Sequence, residues 1–538
     1  MQIPGANLKA EKGHPSSCDR RTVGLSEDRR IQEAVSLSLS AGYQLDRDAF
    51  GFLSTLSKTQ NPLRLMEAVL ERLGRQEDKP LVLSKDLLEE AVQGTSPELK
   101  NPRAFDVFSE PSVSSKSGEP FCPEAKGISG DLKVIADPTD RICSSGSVGD
   151  YLGYFQDRFK RLARLLRQRM DARNAGSIRD AFRTAAGAEL RVICMVTERR
   201  ETKHGALLRI EDLEDDAAVL VPSNAPEELR ERLKTLLLDQ VVCLGLLKTK
   251  KGMLVVKALF FPDVPQGKGR RAREPVYAAL ISDLHVGSKE FMKEEFNRFV
   301  LWLNGKHGND EALAVAGLVK YVVIAGDIVD GVGIYPHQAK ELAIRDVFKQ
   351  YELAAEFIEQ IPDYIEVVII PGNHDASRRA LPQPAIPKNY SKTLCESRRL
   401  LSLGNPATLS LHGVEFLVYH GRSLDDVLAM AADMDFRSPE RAMRVLLQGR
   451  HLAPTYGQRT LIAPERRDFL VIERVPDVFH AGHVHVMKHE NYRGTLMINS
   501  GAWQRQTGYQ RNMGLDPTPG IFPVVNLQTL NVLSMDFT

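Results

Sequence analysis

Apolar residues recur at two different spacings along this chain, and the changes of spacing divide it. From Ile31 to about Gly94 they fall at helical intervals, as in IQEAVSLSL, DAFGFLSTL and PLRLMEAVLERLG, with short polar joints between them. This predicts a small helical module over residues 1–94, with Pro62 in a first turn behind Asn61 as its cap. Residues 95–148 change character. SEPSVSSKSGEPFCPEAKGISG mixes Ser, Gly, Pro and charge with too few apolar residues to offset the entropy of ordering, which predicts a disordered linker.

Residues 149–273 begin with YFQDRFKRLARLLRQRM, Tyr154 to Met170, a basic amphipathic helix. Phe155, Phe159, Leu162, Leu165 and Leu166 make its stripe and arginines cover the rest. A packed helix with a solvated basic face is favoured over a nucleic-acid or membrane role. The period then shortens to five strand-like runs, LRVICMVTE, ALLRIEDL, AAVLVP, VVCLGLL and MLVVKALFF, with PEELRERLKTLL inserted after the third. Five short strands and one inserted helix look like a small Greek-key barrel of the oligonucleotide-binding (OB) type. It has no evident row of exposed aromatics for stacking bases, so a structural or partner-docking role is expected. QGKGRRAREP, Gln266 to Pro275, reads as a basic connector.

From 274 to 538, long apolar runs alternate with stretches of helical period such as EEFNRFVLWLN and KELAIRDVFKQYELAAEFIEQI, so this part is predicted to be α/β. The whole is therefore multidomain α+β.

Composition removes several functional classes. Lys+Arg at 71 against Asp+Glu at 70 leaves a net charge of +1, which excludes binding of nucleic acid through bulk charge. The six cysteines, Cys18, Cys122, Cys143, Cys194, Cys243 and Cys395, form no C-x-x-C pair, so neither a zinc ribbon nor a disulfide framework is indicated. No apolar run is long enough for a signal peptide or a bilayer span, and a cytoplasmic protein without a membrane partner is expected.

Candidate chemistry lies where the apolar runs stop. Eleven of the 13 histidines follow residue 284, most of them just after a strand-like run. VYAALIS leads into Asp283 and His285, YVVIAG into Asp327, and EVVIIPG into Asn373, His374 and Asp375. EFLVY leads into His420, and PDVFHAG into His483 and His485. A buried strand fixes the polar residue at its carboxyl end, and several such ends can meet at one site. Aspartate, histidine and an amide oxygen suit divalent ions such as Mn²⁺, Fe²⁺, Co²⁺ or Zn²⁺, and no thiolate is offered. Seven donors, Asp283, His285, Asp327, Asn373, His420, His483 and His485, fill two sites if one carboxylate bridges. The spacings D-x-H and H-x-H suit an extended chain, on which residues two apart point the same way. Glycines before Asp327, Asn373 and His483 allow close approach.

These five motifs resemble those of the calcineurin-like metallophosphoesterase superfamily, over about Pro275 to Ser500. The flanks IVDGVGIYPHQAKEL, IPGNHDASRRALPQPAIPK, YHGRSLDD, HLAPTYGQRTLIAPERRDFLVIERVPDVFHAGHVHV and INSGAWQRQTGYQRNMGLDPTPG look like the small subunit of archaeal family-D DNA polymerase. So does the order of parts: helical module, linker, barrel, phosphoesterase. One departure is His337, which stands where a smaller residue is expected and adds a metal-capable side chain near the site.

The resemblance implies a four-layer β-sandwich flanked by helices and a dinuclear centre favouring Mn²⁺, with Mg²⁺, Fe²⁺ or Zn²⁺ as alternatives. Carried over motif by motif, Asp283, His285 and His485 hold one ion, Asn373, His420 and His483 the other, and Asp327 bridges them. His374 resembles the acid that protonates the leaving oxygen, and Asp375 is expected to orient it. The family implies a proofreading 3'→5' exonuclease that docks on a large catalytic subunit, acts on DNA 3' ends and has the sliding clamp as a further candidate partner. Arg378, Arg379, Arg422 and Gln383 lie beside the motifs and are candidates to grip the DNA, or else ordinary loop charges. His412, His451, His480 and His489 are left out of the ligand set, His480 as a core residue and His489 as a solvated one. Trp503 is either a partner contact or a core residue. Three rival functions remain: a non-catalytic scaffold subunit, a metallophosphatase and a repair nuclease.

Overall fold

The structure, a computed structural model, describes residues 121–538 apart from 399, 433 and 513, and before them only 35, 37–38, 43–46, 49–50, 66, 69–70, 82–83 and 104–106. The chain divides into two units, Met1–Asn101 and Pro102–Thr538. In the first, strands β1 (Gln44–Leu45) and β2 (Val82–Leu83) pair in parallel, and Ala49, Met66, Val69 and Leu83 are buried. Among its described residues, 35, 37–38, 49–50, 66 and 69–70 are helical, and the strand pair is an addition to the expected helical module. The Asn61–Pro62 cap lies outside the described residues.

The second unit carries the expected barrel. Strands β5 (Glu189–Thr202), β6 (Gly205–Glu211), β7 (Asp216–Pro222), β8 (Val241–Lys248) and β9 (Leu254–Phe260) close in the order β5-β6-β7-β9-β8, with helix Glu227–Lys234 between β7 and β8. The preceding helix runs over Val148–Arg167. It starts earlier than its apolar stripe because Ser147 and Asp150 form a reciprocal capping box. Its basic face is not wholly solvated: Arg158 is completely buried against Asp468.

Two sheets build the remainder. The first has seven strands, β3 (Ala104–Asp106), β10 (Tyr277–Ile281), β11 (Val319–Ala325), β12 (Glu366–Ile370), β13 (Leu400–Ser402), β19 (Ile521–Asn526) and β20 (Val532–Asp536), in the order β13-β12-β11-β10-β19-β20-β3. The second has six, β4 (Leu132–Ala136), β14 (Ala407–Leu411), β15 (Val414–Val418), β16 (Val478–Ala481), β17 (Lys488–Tyr492) and β18 (Thr495–Asn499), in the order β17-β18-β16-β15-β14-β4. Strands β10 to β13 are parallel, as are β15, β16 and β18.

Alternation along β10 shows why its run is apolar throughout. Ala278 and Leu280 pack with Phe416, Val418 and Ile498 of the second sheet, while Ala279 and Ile281 pack with Phe296, Phe299 and Trp503. On the far side of the second sheet, Leu417, Phe479 and Met497 pack against helices Leu424–Met430 and Pro439–Gly449. The layers are helix, sheet, sheet, helix, with both faces of each sheet covered. Trp503 is a core residue, 1% exposed, which removes it as a partner contact.

The linker expectation needs correction. Within 95–148, residues 121–148 are ordered and belong to the two-sheet body, which therefore begins before residue 274. β4 pairs antiparallel with β14, and Ala125 is fully buried. Cys143 and Ser144 donate their backbone N–H to Glu465 Oε2 at 2.8 Å each. The few apolar residues of this stretch cannot make a core of their own, but Phe121, Ile128 and Leu132 add to cores already present. Of residues 95–120, only 104–106 fall among the described residues.

Candidate metal centre

Five strands run straight into the five polar motifs, and the motifs meet. Asp283 and His285 follow β10, Asp327 follows β11, Asn373 and His374 follow β12, His420 follows β15, and His483 and His485 follow β16. The loops are stitched by their backbones: Asp283 N–H donates to Gly326 O at 2.9 Å, His285 N–H to Asp327 O at 3.0 Å and Gly482 N–H to His420 O at 2.9 Å. Approach is close enough to demand glycine. A Cβ on Gly372 would lie 2.1 Å from Asp327 Oδ1, and one on Gly482 would lie 2.5 Å from Asp283 Oδ2.

The D-x-H and H-x-H pairs do not work as extended chain. Asp283 (φ 53°), His285 (53°), Asp327 (52°), His483 (70°) and His485 (62°) all hold left-handed backbone. Such a conformation costs a non-glycine residue about 1–3 kcal/mol and persists where the surroundings impose it. Here the turned backbone aims both side chains of each pair inward, while Leu284 between them is fully buried.

The donors form two clusters. Ligand atoms of Asp283, His285 and His485 all lie within 4.8 Å of one another, as do those of Asp327, His420 and His483. In the first, His285 Nε2 is 3.1 Å from His485 Nε2, which is 3.3 Å from Asp283 Oδ1. In the second, His420 Nε2 lies 3.3 Å from Asp327 Oδ2 and 3.0 Å from Asn373 Oδ1. Asp327 Oδ2 is also 3.8 Å from His285 Nε2, which stations this carboxylate between the two.

The donor set fits divalent cations. Asp283 Oδ1 is buried with no well-formed hydrogen bond, only His485 Nε2 at 3.3 Å, and two imidazole nitrogens face each other across the first cluster. A buried acceptor left unpaired is costly, and a cation would satisfy both features at once. The other nitrogen of each ring is already engaged. His285 Nδ1 is 3.0 Å from Asp330 Oδ1, His420 Nδ1 is 2.8 Å from Ala325 O, and His485 Nδ1 is 2.8 Å from the Gln510 amide. His483 Nε2, 3.1 Å from Asp425 Oδ2, leaves its Nδ1 for the cluster. Such partners orient a ligating imidazole and raise its basicity.

Burial opposes charge throughout; it prevails at His485 and His374, which are lowered, while the carboxylates prevail at His285 and His420. Against desolvation, Asp330, Asp327 and Asp283 raise His285 to about 9, and Asp327 raises His420 to about 9. Asp283, despite its burial, is drawn down to about 2 by His485 and His420, and Asp425 to about 2 by His483 and Arg422. Without a cation the acids gather protons onto two of the histidines. Metal binding would replace those protons.

Three residues of this centre escaped the sequence reading. Asp330 contacts His285 through its carboxylate and His374 Nδ1 through its carbonyl, at 2.8 Å. It is braced by Gln338 and by Gln504. Its D-x-x-D spacing after Asp327 was the available signal. Asp425 lies in YHGRSLDD, where no spacing marks it as part of the centre. Gln510 reaches His485 from helix Gly508–Asn512, a long way on in the chain.

Other expectations are corrected. Asp375 does not orient His374. Its carboxylate receives Ile328, Val329 and Gly372 N–H and the Tyr351 hydroxyl, tying the β11 and β12 loops together. Burial, reinforced by Asp327, pushes it up to about 6. Gln383 is 2% exposed and spent on Gly372 O, Arg378 O and Asn405, so it has nothing left for DNA. Arg378 bonds Ala380 O and Pro382 O and pairs with Glu465 at 2.8 Å. Arg379 donates to Gly333 O at 3.0 Å. Only Arg422 faces the donors, 2.7 Å from Asp425 Oδ2 and 3.1 Å from His483 Nε2.

His337 is exposed at φ 67° and belongs to none of the three His/Asp groups found among the described residues. Of the excluded histidines, His412 meets Tyr321, His451 meets Asp468 and His480 meets Ser500, all in the interior, whereas His489 is half-buried rather than solvated.

The family model for the B-type subunit of DNA polymerases alpha and epsilon matches residues 278–488. The DNA polymerase II small subunit of Methanothermobacter thermautotrophicus is 43% identical over 408 residues, 75% of this chain and 83% of that protein. The chain belongs to the archaeal DNA polymerase II (family-D) small-subunit family. The namesake from Halobacterium salinarum is 33% identical over 515 residues, 93% of this chain and 97% of that one. Among solved structures, a novel archaeal phosphodiesterase aligns over 48% of this chain and 99% of its own, at 13% identity and a TM-score of 0.25. In this polymerase small subunit, the segment matched by the family model holds all seven donors and His374, while Gln504 and Gln510, which brace them, lie beyond its end. Among the described residues no helix is long and apolar enough to cross a membrane.

Proposed function

We propose that this small subunit is a proofreading 3'→5' exonuclease with a dinuclear metal centre, Mn²⁺ being the favoured ion. The observation that carries the reading is the meeting of five strand ends in two donor clusters, with Asp327 of the second 3.8 Å from His285 of the first and His374 beside them. Asp283, His285 and His485 would hold one ion, Asn373, His420 and His483 the other, and Asp327 both. When bound, the ions supply positive charge for the scissile phosphate and acidify water.

The chain's own residues do the rest. His374 Nδ1 faces the Asp330 carbonyl, which can only accept, so Nδ1 keeps its proton; burial lowers this histidine against the pull of Asp327 and Asp330, and it is in the doubly protonated imidazolium form that Nε2 would give its proton to the departing 3'-oxygen. His374 N–H holds Asp327 Oδ1 at 2.8 Å, linking the acid to the shared carboxylate. The side chain of His374 is 15% exposed, so substrate can reach it. Arg422 is the remaining candidate for a phosphate contact.

The strand order 1-2-3-5-4 of the barrel, with a helix between the third and fourth strands, supports the OB reading. Membership of a small-subunit family supports a large catalytic subunit as partner, DNA 3' ends as substrate and a cytoplasmic place of work; the sliding clamp is a further candidate partner. In the test, the purified chain is given Mn²⁺ and a 3'-mismatched primer, with the Asp327→Ala variant alongside. Release of the terminal nucleotide by the wild type alone is expected. Equal release by both would leave a scaffold subunit as the better account.

A further inference from the structure

Two aromatic side chains flank the proposed centre without belonging to it. Tyr335 sits in the loop after Asp330, its ring centroid 6.2 Å from that of His374 in an edge-to-face arrangement. The loop is turned by left-handed backbone at Gly331, Gly333 and His337. It is held by Ile334 N–H to Gln338 Oε1 at 2.9 Å and by Arg379 to Gly333 O. Tyr335 is half-buried, and its hydroxyl donates to Glu341 Oε2 at 2.8 Å, which fixes the ring beside the acid.

The second ring approaches from the other end of the chain. Tyr509, 58% exposed, lies on helix Gly508–Asn512, whose Gln510 contacts His485 at 2.8 Å. The two segments adjoin, since a Cβ on Gly508 would lie 3.8 Å from Glu341 Oε1, on the carboxylate that holds Tyr335. Tyr509 is thus an exposed aromatic on a helix tied through Gln510 to the loop that carries His485. Val332, in the same loop as Tyr335, is a further exposed apolar side chain, at 47%.

We propose that Tyr335 and Tyr509 form a lip that stacks the nucleobase of an unpaired 3' terminus, so that the centre selects frayed or single-stranded ends by the flat face of the base rather than by its sequence. Every base has such a face, and stacking on aromatic side chains is tolerant of sequence. A paired terminal base is already stacked in its duplex and gains nothing from the lip. This rests on the nuclease reading above and names the feature of the substrate that the site recognises.

The experiment compares two single-stranded oligonucleotides with Mn²⁺, one ending in a normal nucleotide and one in an abasic residue at its 3' end. The wild type is expected to favour the base-bearing end in kcat/KM by at least roughly tenfold. Tyr335→Ala/Tyr509→Ala should bring that ratio close to one, chiefly through KM. Tyr335→Phe, which keeps the ring and loses the Glu341 bond, should retain most of the ratio. Tyr509→Ala alone changes an exposed side chain and should lower the ratio in a chain that folds normally. A double variant that keeps the wild-type ratio overturns the lip but not the nuclease. Absence of Asp327-dependent release from either oligonucleotide overturns the nuclease reading, and the lip with it.

Discussion

Two buried Asp–His clusters in the same unit settle their charge in opposite ways. Around Asp468 everything is matched within the chain. Oδ2 accepts from Arg158 Nε at 2.9 Å and from His451 Nε2 at 2.7 Å, while Oδ1 accepts Leu470 N–H at 2.9 Å. His451 Nδ1 in turn accepts Ala453 N–H at 3.1 Å, which fixes a neutral imidazole protonated on Nε2. Around Asp283 and Asp327, a carboxylate oxygen has no well-formed hydrogen bond, two imidazole nitrogens confront each other, and five residues hold strained backbone. Both are built on buried aspartate and histidine, but the strut also holds Arg158. What separates a strut from a binding centre is satisfaction and strain: the strut is complete in the free chain, whereas the centre is built to be completed from outside.

The largest expected effect within the centre is on turnover. His374→Ala should lower the rate of 3'-nucleotide release by about 10²–10⁴-fold, the usual worth of a positioned acid, while leaving bound metal unchanged. Rapid-quench rates paired with metal analysis read both quantities. Loss of metal in step with activity would make His374 part of the scaffold instead.

In the strut, the corresponding change acts on stability. Arg158→Ala leaves Asp468 as an unpaired buried charge and should cost about 3–5 kcal/mol in urea unfolding, with or without Mn²⁺. Asp283→Asn should cost much less in the metal-free chain and instead abolish the stabilisation that Mn²⁺ confers. If the two variants respond alike to Mn²⁺, the contrast fails.

A smaller effect is expected one layer out. Asp330→Ala removes the partner of His285 Nδ1 and should weaken Mn²⁺ binding by about 10–100-fold in a titration. Asp468 variants that still fold should bind Mn²⁺ as the wild type does.

A further effect is on pH dependence. Desolvation, aided by Arg158, lowers His451 to about 4. The folded state therefore binds fewer protons than the unfolded one between that value and about 6.5, where an exposed histidine titrates. The stability this residue contributes is complete above about pH 6.5 and is lost as pH falls toward 4, by at most about 1.4 kcal/mol per pH unit. His451→Gln should flatten that part of the curve of unfolding free energy against pH. An unchanged slope would show that the strut does not depend on neutral His451.

Much of this was legible because sheet strands write their ends into the sequence. A fully apolar run followed by Asp, Asn or His marks a buried strand and a fixed polar terminus, so the donors Asp283, Asp327, Asn373, His420 and His483 could be grouped before their meeting was seen. The barrel was legible for a related reason, five short runs with one helical insertion. What stayed hidden was contact through space. Gln504, Gln510 and Asp425 reach the centre from segments with no periodic signal of their own. Asp375 and Gln383 stand next to the motifs in sequence, yet both are spent on backbone groups inside the loops. The segment 121–148 looked like a linker because its apolar residues are few. They serve cores formed elsewhere, Leu132 of β4 among them, and β4 is paired to β14 by its backbone.

The central claim is that seven side chains from five strand ends hold two divalent ions, with Asp327 common to both. Equilibrium dialysis against Mn²⁺ tests it directly. The wild-type chain should retain two ions and Asp327→Ala should lose both, while Asp375→Asn, if it folds, should keep them. Retention of two ions by Asp327→Ala, or no tightly held ion in the wild type, would contradict the account.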